Sequence, residues 1–334
     1  MRNRIQDIVT QECQSRPSPS MRPPKTLRAT IAPLWNSAYV LLLFTALFWA
    51  GNAIVARGAR DLVPPVALTF WRWSFALLLL LPFAWRHLKA DWPLIIQSWG
   101  ILLFLGILGI GAFNTLLYSG LQTTTALNAM LLQAAQPALI LVVGALLLQD
   151  RVSIRQIVGV VVSLTGVLLI LARGDRHLLL GIHIDTGDAI IGVAVIIWSV
   201  YSVYLRRRPA VHPLSFMAAT LIVGVVFILP LYVWEVHSGR LIVPQTESWL
   251  AIAYVSIFPS LAAYLFFNRG VELVGAAATG QFMNVMPVIG AVLSVLFLGE
   301  AFRLLHLTGM LLVGVGILIA GANLRAPGPA GTPR

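Results

Sequence analysis

GLQTTTALNAMLLQAAQPALILVVGALLLQD, residues 120–150, recurs 150 residues further on as GVELVGAAATGQFMNVMPVIGAVLSVLFLGE, residues 270–300. Gly120 falls on Gly270, Pro137 on Pro287, and Asp150 is answered by Glu300. Each copy is a short polar turn followed by an apolar run about as long as a bilayer core requires of a helix, with a proline in its middle. The chain is therefore built on an internal duplication. Working outward, FWAGNAIVAR at 48–57 matches IWSVYSVYLR at 197–206, tryptophan on tryptophan and arginine on arginine. Pro65 matches Pro213, Gly159 matches Gly309, and Gly166 matches Gly316.

Composition fixes the solvent in which the duplication works. Of 334 residues 58% are hydrophobic and 10% charged, and mean hydropathy is +0.86. No single water-facing core can hide so much apolar surface, which places the chain in a bilayer. A net charge of +11 would suggest nucleic acid in a soluble protein. Here the positive charge sits in loops and tails, where it sets orientation. The single cysteine, Cys13, excludes an intrachain disulfide.

Ten apolar windows, beginning near residue 36 and ending near 322, read as transmembrane helices. The expected fold is an all-α integral membrane protein with ten such helices in two inverted five-helix repeats. Residues 1–33 read as a disordered cytoplasmic tail rather than a signal peptide, 34–172 as the first repeat, 173–187 as a connector, 188–322 as the second repeat, and 323–334 as a second disordered cytoplasmic tail. An odd number of helices per repeat makes the second copy enter the membrane upside down, the plan of alternating-access carriers. Lys and Arg number 16 on the side that holds both tails and 6 on the other, so both termini are expected in the cytoplasm.

Polar residues inside these windows are the site candidates. Proline within a helix frees the carbonyl four residues back, and a cavity gives such a carbonyl a partner that lipid cannot. Asn128, Gln133 and Gln136 surround one proline, and Gln281 and Asn284 the other. On a continuous helix Asn128 and Gln136 lie about 80° apart and share a face. Trp49 with Asn52 and Trp198 with Tyr201 pair at i,i+3, and aromatic groups beside hydrogen-bonding groups suit an amphipathic organic substrate. Asn114 with Tyr118, and Tyr264 in the line Ser256, Ser260, Tyr264, Asn268, add two further polar stripes. The plainer explanations are kinked packing with amide contacts between helices for the amides, an interfacial belt or core packing for the aromatics, and bonds to their own helix backbone for Ser256 and Ser260, which makes those two weak candidates.

Arg72 in LTFWRWSF lies well inside a helix. A buried cation demands a partner: a substrate carboxylate, or else backbone carbonyls or the outer interface reached by snorkelling. No Asp or Glu occupies the middle of a window, so a membrane-embedded proton carrier is not expected. Asp150, Asp188, Glu272 and Glu300 read as hydrated or capping groups at helix ends. GILGIG at 106–111 follows no strand and reads as close helix packing rather than a phosphate loop. No metal set or cofactor motif emerges, and no catalytic constellation.

FWAGNAIVAR, LTFWRW, NTLLYSGLQTTTALNAMLLQAAQPALI and QDRVSIRQIVGVVVSLTGVLLI, with their second-half echoes FFNRGVELVGAAATGQFMNVMPVIGAVLSVLFLGE and LTGMLLVGVGILIAG, resemble the EamA family of the drug/metabolite transporter superfamily. The resemblance spans about 39–321. It implies a bacterial inner-membrane carrier with a central cavity from helices 1, 3, 4, 6, 8 and 9, exporting amino-acid-like or other small metabolites as a monomer or homodimer. Arg72 matches the arginine usual in the family's second helix. A multidrug exporter of lipophilic compounds is the alternative; the helix 1 glutamate of small multidrug pumps has no counterpart near Trp49.

Overall fold

The computed structural model describes residues 35–149, 153–171, 185–274, 279 and 282–321. Among them every regular element is a helix. We number these α1 (Ala38–Gly58), α2 (Pro65–Gln97), α3 (Trp99–Gly120), α4 (Ala126–Gln133 and Gln136–Leu148), α5 (Ile154–Leu171), α6 (Thr186–Tyr204), α7 (Pro213–His237), α8 (Thr246–Val274), α9 (Met286–Leu298) and α10 (Leu304–Gly321). Six described helices are long and apolar enough to cross a membrane, or seven when the bent pair in α4 counts as one span. The remaining apolar helices are shorter, so the structure supports the expected all-helical membrane fold at this coarser level.

Local chemistry sets the boundaries. Pro65 and Pro213 open α2 and α7 in the first turn, where a missing N–H costs nothing. Thr125 caps α4 by accepting from the Asn128 N–H at 3.1 Å. The two halves of α4 meet at a bend of 43° around Ala134 and Ala135, with Pro137 in the first turn of the second half. Pro287 takes the same place in α9, after a single 3₁₀ turn at Met283–Val285. Gln149 and Gly299 end α4 and α9 in the left-handed conformation, at φ 56° and 63°. Matching π-helical turns interrupt α3 at Gly106–Ala112 and α8 at Phe258–Ala262.

One difference from the sequence reading lies in α2. The apolar window that opens at Pro65 reads as ending near 85, yet the helix runs on to Gln97, past Pro82 and Pro93. At 1.5 Å per residue this helix is about 50 Å long and outruns the hydrocarbon core. Its overhang carries exposed Trp85 and Trp92, with the Lys89 ammonium over the Trp85 ring. Aromatic and basic residues together fit the membrane–water interface, which a hydropathy window reads as a break.

Packing repeats as the sequence repeats. α1 packs on α8 and α9 as α6 packs on α3 and α4, while α2 pairs with α7, α4 with α9 and α5 with α10. In the last pair, a Cβ on Gly166 would lie 2.7 Å from the carbonyl oxygen of Gly309, and one on Gly316 would lie 2.5 Å from that of Gly159. Residues related by the repeat thus exchange partners across the contact, the signature of a two-fold interface. GILGIG is packing surface, with Gly106 against Val223 and Gly109 against the Tyr201 ring.

Candidate transport site

Arg72 is the hub of the interior. Only 4% exposed, it donates from Nε to Ser260 Oγ at 2.7 Å and from Nη1 to Asn52 Oδ1 at 3.0 Å and Asn114 Oδ1 at 2.9 Å. Nη1 also donates to Tyr118 Oη in a short contact, and the Tyr118 hydroxyl donates to Asn52 Oδ1 at 2.6 Å. α2 thereby grips α1, α3 and α8 through one guanidinium. The network is anchored in both π-helical turns, since Asn114 Nδ2 donates to the Gly109 carbonyl at 3.3 Å and Ser260 Oγ to the Val255 carbonyl at 2.7 Å. A π turn releases backbone carbonyls that a regular helix would use. Among the described residues no protein group accepts from Nη2 of Arg72.

Two aromatic pairs flank this hub. Trp49 lies edge-on to Tyr264 with ring centroids 5.7 Å apart, and its indole N–H donates to the Pro259 carbonyl at 3.0 Å. Trp198 lies 5.1 Å from Tyr201 and 4.6 Å from Phe113. All four keep accessible surface deep within the helix bundle. The sequence candidates Asn52, Arg72, Asn114 and Tyr118 thus form one cluster, and Trp49 with Tyr264 and Trp198 with Tyr201 two aromatic pairs.

The amides are less united. Gln133 is buried, and its Nε2 donates to the Ala129 carbonyl of its own helix at 3.1 Å. Gln136 is half-buried beyond the bend, so the face that a straight helix gives to Asn128 and Gln136 does not exist. Asn128 turns instead to Asp188, within 3.4 Å of Oδ1. Gln281 and the side chain of Asn284 lie outside the described residues.

Of the acidic groups read as hydrated or capping, Glu300 caps a helix and Glu272 is exposed, whereas Asp188 is buried. Asp188 is 2% exposed and accepts from the Thr124 hydroxyl. Glu300 accepts from the Ala126 and Leu127 N–H groups at 2.8 and 2.9 Å, capping α4 from the other repeat. Glu235, fully buried, accepts from the Ala67 N–H at 2.7 Å and so caps α2. Glu235 does not stand out in the sequence, and a serine such as Ser260 can bond its own helix; only the fold shows that their partners are on other helices. At the opposite end the His212 N–H donates to Asp91 at 2.8 Å, and the His212 ring stacks on His87 at 3.7 Å. Burial and the neighbouring His87 hold His212 below the usual histidine value, with Asp91 opposing them.

The interior therefore offers hydrogen bonds, one cation and aromatic faces, and no group of metal ligands occurs among the described residues. The model of the EamA-like transporter family matches residues 36–172 and again 185–322. The chain belongs to the EamA-like transporter family. It is a multi-pass membrane transporter by that membership and by its apolar helices. Among EamA relatives, the uncharacterized transporter YyaM of Bacillus subtilis is 28% identical over 86% of this chain and 95% of its own length. A probable terminal-alkyne amino-acid exporter of Streptantibioticus cattleyicolor is 24% identical over 85% of this chain and 93% of its own. A crystal structure with 20% identity shares the fold at a TM-score of 0.57, covering 85% of this chain and 96% of that one.

Proposed function

We propose that this EamA-like transporter exports a small amphipathic metabolite, of amino-acid type or a comparable organic compound, across a bacterial inner membrane. Both termini face the cytoplasm, and the two repeats rock to expose one central cavity alternately. The observation that carries the reading is the two aromatic pairs, Trp49 with Tyr264 and Trp198 with Tyr201, whose tryptophans correspond in the repeat, in a helix bundle that also holds a buried arginine. The aromatic faces cover an apolar body, and Nη2 of Arg72 meets a carboxylate. Asn52, Asn114 and Tyr118 hold the guanidinium in place, while Gln133, Gln136, Gln281 and Asn284 orient the polar end. The amino-acid exporter name of one relative points the same way.

The test is efflux of a panel of amino acids and lipophilic drugs from liposomes holding the purified chain. Zwitterionic substrates should leave, and Trp198→Ala, Gln133→Ala and Asn284→Ala should each remove the flux while the protein stays folded. Unchanged flux in all three variants would sink the proposed site, and efflux confined to lipophilic compounds would favour a multidrug exporter.

A further inference from the structure

Between α1 and α8 the outer surface of the described residues departs from the two-fold symmetry. Between the end of α1 and the first half of α8 runs a groove of about 640 Å³, lined by Val55, Gly58, Leu62, Leu250, Ala253 and Tyr254, with Glu247 at its rim. In the related place between α6 and α3, the Phe104 ring packs on Tyr204 with centroids 4.9 Å apart, and the Arg207 guanidinium lies 5.5 Å over Tyr204. The repeat register sets Tyr254 against Phe104, Val55 against Tyr204 and Gly58 against Arg207. Valine for tyrosine and glycine for arginine remove the filling on one side alone. Packed proteins leave few voids larger than water, and an apolar slot facing a bilayer fills with apolar matter.

At Gly58 the groove adjoins a second pocket of about 280 Å³, lined by Arg57, Arg60, Asp61, Thr125, Leu298 and Glu300. Arg57 spends Nη1 on the carbonyls of Leu121 and Gln122, at 2.7 and 2.8 Å, and its Nε and Nη2 have no acceptor among the described residues. An apolar slot about 16 Å long, from Glu247 to Phe258 at 1.5 Å per residue, thus ends beside two guanidinium groups and two carboxylates. That combination matches an amphiphile with an anionic centre and a zwitterionic head. We propose that the α1–α8 groove holds one acyl chain of a zwitterionic bilayer phospholipid whose phosphate lies against Arg57 and Arg60. The site is separate from the transported substrate.

The test uses the full chain in liposomes containing phosphatidylethanolamine with a diazirine in its acyl chain. After irradiation, label is quantified on peptides covering 55–62 and 250–258, against the related peptides covering 204–211 and 100–108. The groove peptides should carry several times more label. Ala253→Trp, on an exposed wall, should bring them down to the level of the related site. Arg60→Gln, which removes one of the two cations facing the phosphate, should lower labelling several-fold, and serves if the tryptophan variant misfolds. Equal labelling of both sites, or labelling indifferent to both variants, would overturn the proposal. Displacement of the label by a soluble aromatic amino acid would also overturn it, and would make the groove a substrate portal.

Discussion

Arg72 reaches Ser260 across the bundle, Nε to Oγ at 2.7 Å, and so ties α2 to the π-helical turn of α8. The same guanidinium holds Asn52 of α1 and Asn114 of α3. Any movement of α8 relative to α1 and α3 must pass through this joint. The arginine therefore supports the interior by tying four helices together, and under the proposed rocking it is a joint that must yield.

Replacing Arg72 should cost more stability than replacing any residue of the aromatic clusters. Arg72→Ala strands acceptors on three helices, and charge-assisted bonds of this kind put the loss at about 3 kcal/mol or more. Arg72→Lys keeps the charge but not the planar fork, and should recover only part. Thermal unfolding in detergent checks the order, with Trp198→Ala as the variant that should lose flux and little stability.

Gly166 and Gly316 should not tolerate side chains. Each Cβ would meet the backbone of the facing helix, where no rotamer change gives relief. Gly166→Leu or Gly316→Leu should separate α5 from α10 and lower the yield of folded protein. Gly314, on the same helix with nothing within 4 Å of its Cβ position, is the control. Gly314→Ala should be neutral or gain up to ~1 kcal/mol from helix propensity, read from the same unfolding curves.

The His87–His212 stack predicts a pH dependence with a definite sign. Burial and His87 lower the affinity of folded His212 for a proton, so the unfolded chain binds more protons between the lowered value and the ordinary one. Stability is then complete above the ordinary histidine value of about 6.5 and is lost as pH falls through it towards the lowered value. His212 Nδ1 also accepts from the Leu214 N–H at 3.2 Å, which protonation abolishes. His212→Asn keeps a side-chain cap without titrating. Unfolding temperatures between about pH 5 and 8 should fall with acid in the parent and stay flatter in the variant.

The duplication, its glycines and its prolines made the two-fold plan legible, because symmetry leaves equivalent residues at a fixed spacing. The polar stripes likewise marked Asn52, Arg72, Asn114 and Tyr118 as interior residues. Their meeting was not legible, since it depends on how three helices turn about their own axes. Asn128 and Gln136 misled for a related reason: periodicity assumes a straight helix, and the bend at Ala134 and Ala135 separates them. Glu235 shows the same limit at a helix end. A carboxylate there reads as hydrated until the N-terminus of α2 is seen against it.

The two repeats are fastened at one end of the bundle through α4, and loosening that fastening should open it. Glu300 and Asp188, both from the second repeat, take hold of Ala126, Leu127, Thr124 and Asn128 in the first. Rocking the repeats apart must break these contacts. Glu300→Gln leaves one acceptor without charge and weakens the cap by about 1–2 kcal/mol, a shift of roughly tenfold towards the open form. Ala126, fully buried, makes a reporter as Ala126→Cys with the native Cys13 replaced by serine. A membrane-impermeant maleimide should react about tenfold faster with the reporter when Glu300→Gln is present. An unchanged rate would mean that Glu300 caps α4 without holding this end shut.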